Sequence, residues 1–256
     1  KHRLSVSMDS SSEYLSLEEP DKAVHLWRYT PWRRVHPTGN IGDIPEEISA
    51  PKLSLSCIDG ETPDGVRLIH GSGQVDGLPE SDATTSSFMR AITEESSWTV
   101  EVDPEFNPGK TVVLEIDAGP SISAVHVCLK IGRHANLELV TLVKGDCEWM
   151  GLLRTGSTGE GSNTSDVVVN VMDGGTLLRV DAIHIDRDSQ VTAGTISSGS
   201  EMTKSDLRYR MGEPGGNLNV LGSILSAKDM SLDHHIEIHH DAPETYSRLD
   251  WHSACG

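Results

Sequence analysis

The feature that most limits what this chain can fold into is a corner that returns at a fixed interval. A small or polar turn separates one apolar residue from the next strand in Ile131-Gly132-Arg133-His134-Ala135-Asn136-Leu137, Met172-Asp173-Gly174-Gly175-Thr176-Leu177 and Ile185-Asp186-Arg187-Asp188-Ser189-Gln190-Val191. It returns in Met211-Gly212-Glu213-Pro214-Gly215-Gly216-Asn217-Leu218 and Leu225-Ser226-Ala227-Lys228-Asp229-Met230-Ser231-Leu232. The strand-opening residues Leu137, Leu177, Val191, Leu218 and Leu232 are 40, 14, 27 and 14 positions apart (177 − 137, 191 − 177, 218 − 191, 232 − 218). All are near multiples of about 13 to 14, the signature of a repeat unit. A unit of one strand plus one corner cannot cover its own apolar side, so units must stack and pair their backbones with their neighbours. The predicted fold is a mainly β solenoid. A sandwich or a cupin-like barrel also uses short strands and glycine turns, but the regular interval, in place of Asn-Gly hairpin turns, favours stacked coils.

The composition agrees. Aromatic residues make up 4% of the chain and there are 24 glycines, which suits many short strands and tight turns. Runs such as Val112-Val113-Leu114-Glu115-Ile116, Ala124-Val125-His126-Val127-Cys128-Leu129-Lys130-Ile131 and Val167-Val168-Val169-Asn170-Val171 are rich in β-branched residues, and several alternate with polar ones. Residues 154–165 are dense in Gly, Ser and Thr and read as an exposed, mobile loop. Residues 81–95 hold a short helix around Phe88, Met89, Ala91 and Ile92. Two regions are expected: an N-terminal helical and extended docking segment over residues 1–60, and a β core over 61–256. In the first, residues 22–32 form a short helix that Pro31 and Pro37 prevent from continuing. Its Trp27-Arg28-Tyr29-Thr30-Pro31-Trp32-Arg33-Arg34 run docks on the core through its aromatics; a nucleotide- or ligand-binding role is the other reading of that run.

The formal net charge of −18 repels phosphate backbones, so a nucleic-acid partner is not expected. The four cysteines, Cys57, Cys128, Cys147 and Cys255, show neither a CxxC nor a zinc-finger spacing, and a reducing cytoplasm fits them best. No apolar run reaches the roughly 20 residues that cross a bilayer, and no membrane association is expected. HExxH, Walker A, GxSxG and dinucleotide-binding glycine patterns are all missing.

The densest metal-ligating chemistry lies in His234-His235-Ile236-Glu237-Ile238-His239-His240. Strand alternation puts Ile236 and Ile238 on the core side with His234 and His240 at its ends, hydrogen-bonded to backbone. His235, Glu237 and His239 then share the outer side, where two imidazoles flanking a carboxylate form a candidate metal site. A solvated His/Glu face is the competing reading. Cys255, one coil further on, is the fourth candidate ligand, with a buried inert thiol as its alternative. Cys128 falls in a very apolar strand and belongs to the core; Cys57 and Cys147 receive no role. His126, His184 and His252 alternate with apolar residues and read as surface or edge positions.

Three blocks resemble the SufB/SufD family, the scaffold subunits of the SUF iron–sulfur cluster assembly machine. Trp27-Arg28-Tyr29-Thr30-Pro31-Trp32 is similar to the segment near the start of SufD-type chains, and His240 with Ser247-Arg248 is similar to a strand-and-corner segment of the family core. Residues 129–140 resemble one of its coils. The resemblance implies a right-handed parallel β-helix. It implies a transient iron–sulfur cluster built on the full complex, a SufC-like ATPase, a SufB- or SufD-like second subunit and a sulfur donor. A homo- or heterodimer is compatible with it, and the N-terminal block leans towards SufD. The family's best-known cysteine, histidine and SufC-binding helices lie further along than Gly256, so the chain, which opens on Lys1, reads as a C-terminally truncated piece. The expected function is a scaffold for cluster assembly rather than an enzyme. A β-helix polysaccharide lyase or hydrolase and a cupin-type metal protein are the alternatives.

Overall fold

The computed structural model describes residues 9–227 and 229–256. Its strands are β1 Lys52–Cys57, β2 Val66–His70, β3 Ser97–Val102, β4 Val112–Asp117, β5 Ile122–Ile131, β6 Asn136–Lys144 and β7 Trp149–Ser157. They continue as β8 Asn163–Asn170, β9 Thr176–Ile185, β10 Gln190–Ser197, β11 Met202–Met211, β12 Asn217–Ser226, β13 Ser231–His240 and β14 Tyr246–Cys255. Odd and even strands separate into two sheets from β3 onward. One runs β2-β3-β5-β7-β9-β11-β13 and the other β1-β4-β6-β8-β10-β12-β14. Every pair from β3 and β4 onward is parallel. β1 and β2 run antiparallel to β4 and β3 and close the first coil. This is a parallel β-solenoid with two strands per coil. Neither the hairpin sandwich nor the closed cupin barrel is formed.

The register explains the sequence interval. Ile122 lies beside Trp149 and Trp149 beside Thr176, a step of 27 residues each time (149 − 122, 176 − 149). Asn163, Gln190 and Asn217 follow the same step in the other sheet. Half a coil is therefore the spacing seen between strand-opening residues.

Residues 154–165 do not form a mobile loop. They complete β7, turn through five residues and begin β8. Their small residues serve close approach, not freedom. A Cβ on Gly156 would run into the Leu129 carbonyl of the coil before, and one on Gly159 into that of Ile131. Gly159 also has φ +64°, a conformation that glycine tolerates best.

The inward positions of both sheets form one core, with Val127, Leu139, Val168, Ile185, Met211 and Leu218 among its members. A second core lies on the outer face of the β5–β11 sheet. There Tyr14, Trp27, Trp32, Val35, Phe88 and Met89 pack onto Trp149, Leu153, Leu178 and Val180. Those residues come from α1 Ser10–Leu15, a 3-10 turn at His25–Trp27, α2 Trp32–Val35 and α3 Ala83–Thr93. α3 is the helix expected near Phe88, capped by Asp82, whose side chain accepts from Thr85 N. The helix expected over residues 22–32 is not continuous. Pro31 stands at the N-cap of α2 instead of closing a helix before it, because its fixed φ and missing N–H suit a helix start. Trp27 and Trp32 dock as expected and are buried together with Leu26, and Trp32 Nε1 donates to Tyr14 Oη at 3.1 Å, whereas Tyr29, expected to anchor with them, turns out to solvent. Lys204 on β11 reaches the same segment, donating to Leu26 O and pairing with Asp233 at 2.9 Å.

Candidate functional site

Charged residues inside a solenoid must find partners there, because each coil shuts out water above and below. Alternation turns Arg154 of β7 and both Arg179 and Asp181 of β9 inward, and Asp166 faces them from β8. Arg154 Nη2 donates to both Asp166 carboxylate oxygens at 2.7 Å, and its Nη1 to Asp181 Oδ2 at 2.8 Å. Arg179 binds Asp181 through Nε at 2.9 Å and Nη2 at 2.6 Å, and its Nη1 donates to Thr195 Oγ1 at 3.0 Å. Burial disfavours the charged form of both Arg154 and Asp181. The two carboxylates nonetheless hold Arg154 above its usual pKa, and the two guanidinium groups hold Asp181 below the usual carboxylate range. Tyr209, buried beside them, is pushed up.

This polar lane continues toward the last coil. Arg179 is register neighbour to Ser205 on β11, and Ser205 to His234 on β13. The His234 ring lies 5.3 Å from that of Trp251, which covers Gly222 on the opposite sheet. Both His234 nitrogens, Ser205 Oγ and Ser197 Oγ are buried with no hydrogen-bond partner among the described residues. The backbone hydrogen bond expected for His234 is not made. Burial pushes its pKa down to about 4, so the ring is a neutral base inside the coil at neutral pH.

The outer face of the same strands holds the residues singled out in sequence. His235 Nδ1 lies 2.9 Å from Asp206 Oδ1. Glu237 lies between Arg208 Nη1, at 2.7 Å, and His239 Nε2, at 2.8 Å. Burial alone would raise the Asp206 carboxyl, but hydrogen bonds from His235, Arg208 and Ser81 keep it low. His235 and Glu237 are thus tied into a latch between β11, β13 and the segment before α3, while His239 meets only Glu237 of its own strand: Arg208 also donates to Glu80 O at 3.0 Å, and Arg210 to Gly77 O at 3.4 Å. Cys255 lies at the end of β14 in the other sheet, exposed, on the side that Trp251 turns inward. His235, Glu237, His239 and Cys255 are not brought together. Among the described residues no three His, Cys, Asp or Glu side chains are grouped as a metal site requires.

His126 is not a surface residue. It is half-buried between β3 and β7 on the outer face of its sheet, with Nε2 2.7 Å from Thr155 Oγ1, and burial drives its pKa down to about 4. His184 forms a half-buried pair with Asp186 at 3.3 Å, and His252 is exposed. Cys128 is buried as expected. The inner network is not legible along the chain, because Arg154 opens a Gly-, Ser- and Thr-rich stretch that reads as a loop. The signal that finds it is the coil step: Arg154 and Asp181 are 27 positions apart (181 − 154) and opposite in charge.

Comparison with known protein families matches residues 126–256 to the SUF system FeS cluster assembly, SufBD core domain. The chain belongs to the SufBD core family. The match runs from within β5 through β14, so it coincides with the parallel coils, the inner charge network and the His234 coil. It places the protein in iron–sulfur cluster assembly by the SUF system. Comparisons with curated proteins and with solved structures give no match. No helix among the described residues is long and apolar enough to cross a membrane.

Proposed function

We propose that this SufBD core protein is a non-enzymatic scaffold subunit that works in the cytoplasm with a SufC-type ATPase, a second SufB- or SufD-like subunit and a sulfur donor. The observation that carries the reading is the family match lying on the parallel coils. Stacked strands give a stiff prism whose paired backbone resists bending, which suits a surface that must present ligands without collapsing around them. The iron–sulfur cluster is the cargo of the complex. Its soft donor from this chain is Cys255, whose thiol is exposed while the other three are buried; thiolate sulfur is the ligand such clusters prefer. His235, Glu237 and His239, on β13 of the other sheet, are further donors, of which His235 and Glu237 become free only when the Asp206 and Arg208 contacts open. The N-terminal aromatic segment supports a SufD-type subunit.

The test is copurification of the full-length protein with a SufC-type ATPase, followed by reconstitution with ferrous iron and sulfide without oxygen. Retention of the ATPase and cluster absorbance in the visible range, lost in Cys255→Ser, are expected. Failure of both would remove the reading.

A further inference from the structure

His235 has a neighbour that its own sheet does not supply. The ring of His25, on the 3-10 turn at His25–Trp27, lies 5.7 Å from the His235 ring, centre to centre, with the planes tilted by 50°. The two residues are 210 positions apart (235 − 25), so only the docked N-terminal segment brings them together. Both stand on fixed supports. Leu26 and Trp27, next to His25, are buried, and Leu26 O accepts from Lys204 on β11. His235 is held by the pairing of β13 with β11 and by Asp206 at its Nδ1. Asp206 is itself fixed by Arg208 Nε, at 2.9 and 3.0 Å, and by the Ser81 hydroxyl. An imidazole that donates at Nδ1 keeps its lone pair at Nε2. Among the described residues neither that nitrogen nor either nitrogen of His25 has a hydrogen-bond partner, and His25 is exposed, which opens the pair to solvent.

We propose that His25 and His235 form a two-histidine site for a borderline divalent cation such as Zn²⁺, which clips the N-terminal segment to β13. One ring nitrogen bonded to a carboxylate, the other free beside a second imidazole, is how metal-ligating histidines are set up. With metal–nitrogen bonds of about 2.1 Å, two imidazoles on one tetrahedral ion have their centres ~5.3 Å apart. The observed pair closes onto an ion with a movement shorter than a bond length. Imidazole nitrogen selects Zn²⁺, Ni²⁺ or Cu²⁺ over Mg²⁺ and Ca²⁺, which prefer oxygen. Water completes the coordination, because no third His, Cys, Asp or Glu is grouped there among the described residues. Binding is therefore weaker than at a closed structural site, and reversible. The Asp206 bond stays shut throughout, since it occupies Nδ1 alone and holds the ring in place. The unfolded chain does not hold the two rings together, so the ion stabilises the docked state.

Calorimetric titration of the full chain with ZnCl₂, paired with thermal midpoints, tests this. The Cys255 thiol is alkylated beforehand so that it does not compete, and neither iron nor sulfide is present, so the outcome is independent of cluster assembly. Zn²⁺ should raise the midpoint by a few degrees, and the same concentration of Mg²⁺ should not. His25→Ala, at an exposed position, should weaken Zn²⁺ binding at least tenfold and abolish the rise. His235→Ala should do the same; should it disturb folding, His25→Gln serves as the second variant. His239→Ala should keep the response, which separates this site from the Glu237 pair. No rise with Zn²⁺ overturns the proposal. So does a rise that survives His25→Ala, the two rings then being in packing contact only.

Discussion

Arg154 and Asp181 stand side by side on the inner face of β7 and β9, joined by a 2.8 Å hydrogen bond, with side chains 1% and 0% exposed. Asp166 and Arg179 complete the set, so two cations and two anions neutralise each other where water has no access. Removing one member leaves a buried charge without its partner, and such a break costs about 3–5 kcal/mol. Arg154→Met should therefore lower the unfolding free energy by that amount, more than any substitution of an exposed pair such as Arg248 with Asp250. Urea denaturation of both variants checks the contrast; equal losses would mean that the inner network is no more important than a surface bridge.

His126 and His234 should make the fold acid-sensitive well above the carboxylate range. Burial lowers both to about 4 in the folded chain, against about 6.5 when unfolded. Between those values the unfolded chain binds the proton and the folded chain does not, so protonation favours unfolding. Stability is complete above pH ~6.5 and declines as the pH falls toward ~4, by on the order of 3 kcal/mol for each ring. Thermal midpoints measured from pH 7.5 to 4.5 should fall, and His234→Phe should flatten the decline. A wild-type curve flat across that interval would contradict the buried, neutral state of both rings.

The coil architecture was legible because it rests on periodicity alone. Leu177 and Val191 open β9 and β10, and Leu218 and Leu232 open β12 and β13, as their spacing requires. Alternation also placed Ile236 and Ile238 inward, against the core. What stayed hidden depended on neighbours distant in sequence. The glycines at 156, 159 and 161 look like a flexible loop until the preceding coil is laid against them. His235 and Glu237 look like free ligands until Asp206 and Arg208, on the adjacent strand 29 residues earlier (235 − 206, 237 − 208), are seen to hold them. Local pattern reports which face a side chain takes. It does not report what that face meets.

Lys204 fastens the N-terminal segment to the solenoid. Its ammonium group donates to the Leu26 carbonyl and to Asp233, and lies 5.4 Å from the Trp27 ring centre. The side chain is 1% exposed, so Lys204→Met leaves Asp233 and the Leu26 carbonyl without a buried donor. A loss of about 2–4 kcal/mol is expected. The weakened docking should also open the cationic segment that carries Lys22, Arg28, Arg33 and Arg34. Trypsin should then cleave there faster than in the wild type while the coils resist. Cleavage first within β7 to β12 would show that the segment does not depend on this lysine.

The four thiols should separate cleanly by reactivity. Cys57, Cys128 and Cys147 are buried and Cys255 is exposed. Burial pushes the Cys128 and Cys147 thiols up, which reduces the thiolate that attacks a disulfide reagent. Cys147 Sγ also lies 3.0 Å from Trp149 O and 3.2 Å from Ser121 O, inside the corner that starts β7. An aromatic disulfide reagent added to the native chain at pH 8 should therefore label one thiol within minutes and all four in guanidinium. Cys255→Ser should abolish the fast reaction and leave the thermal midpoint within about 0.5 kcal/mol equivalent of the parent, as expected for an exposed position. Two or more fast thiols in the native chain would mean that a coil opens on that timescale. The rigid prism on which the scaffold role depends would then be lost.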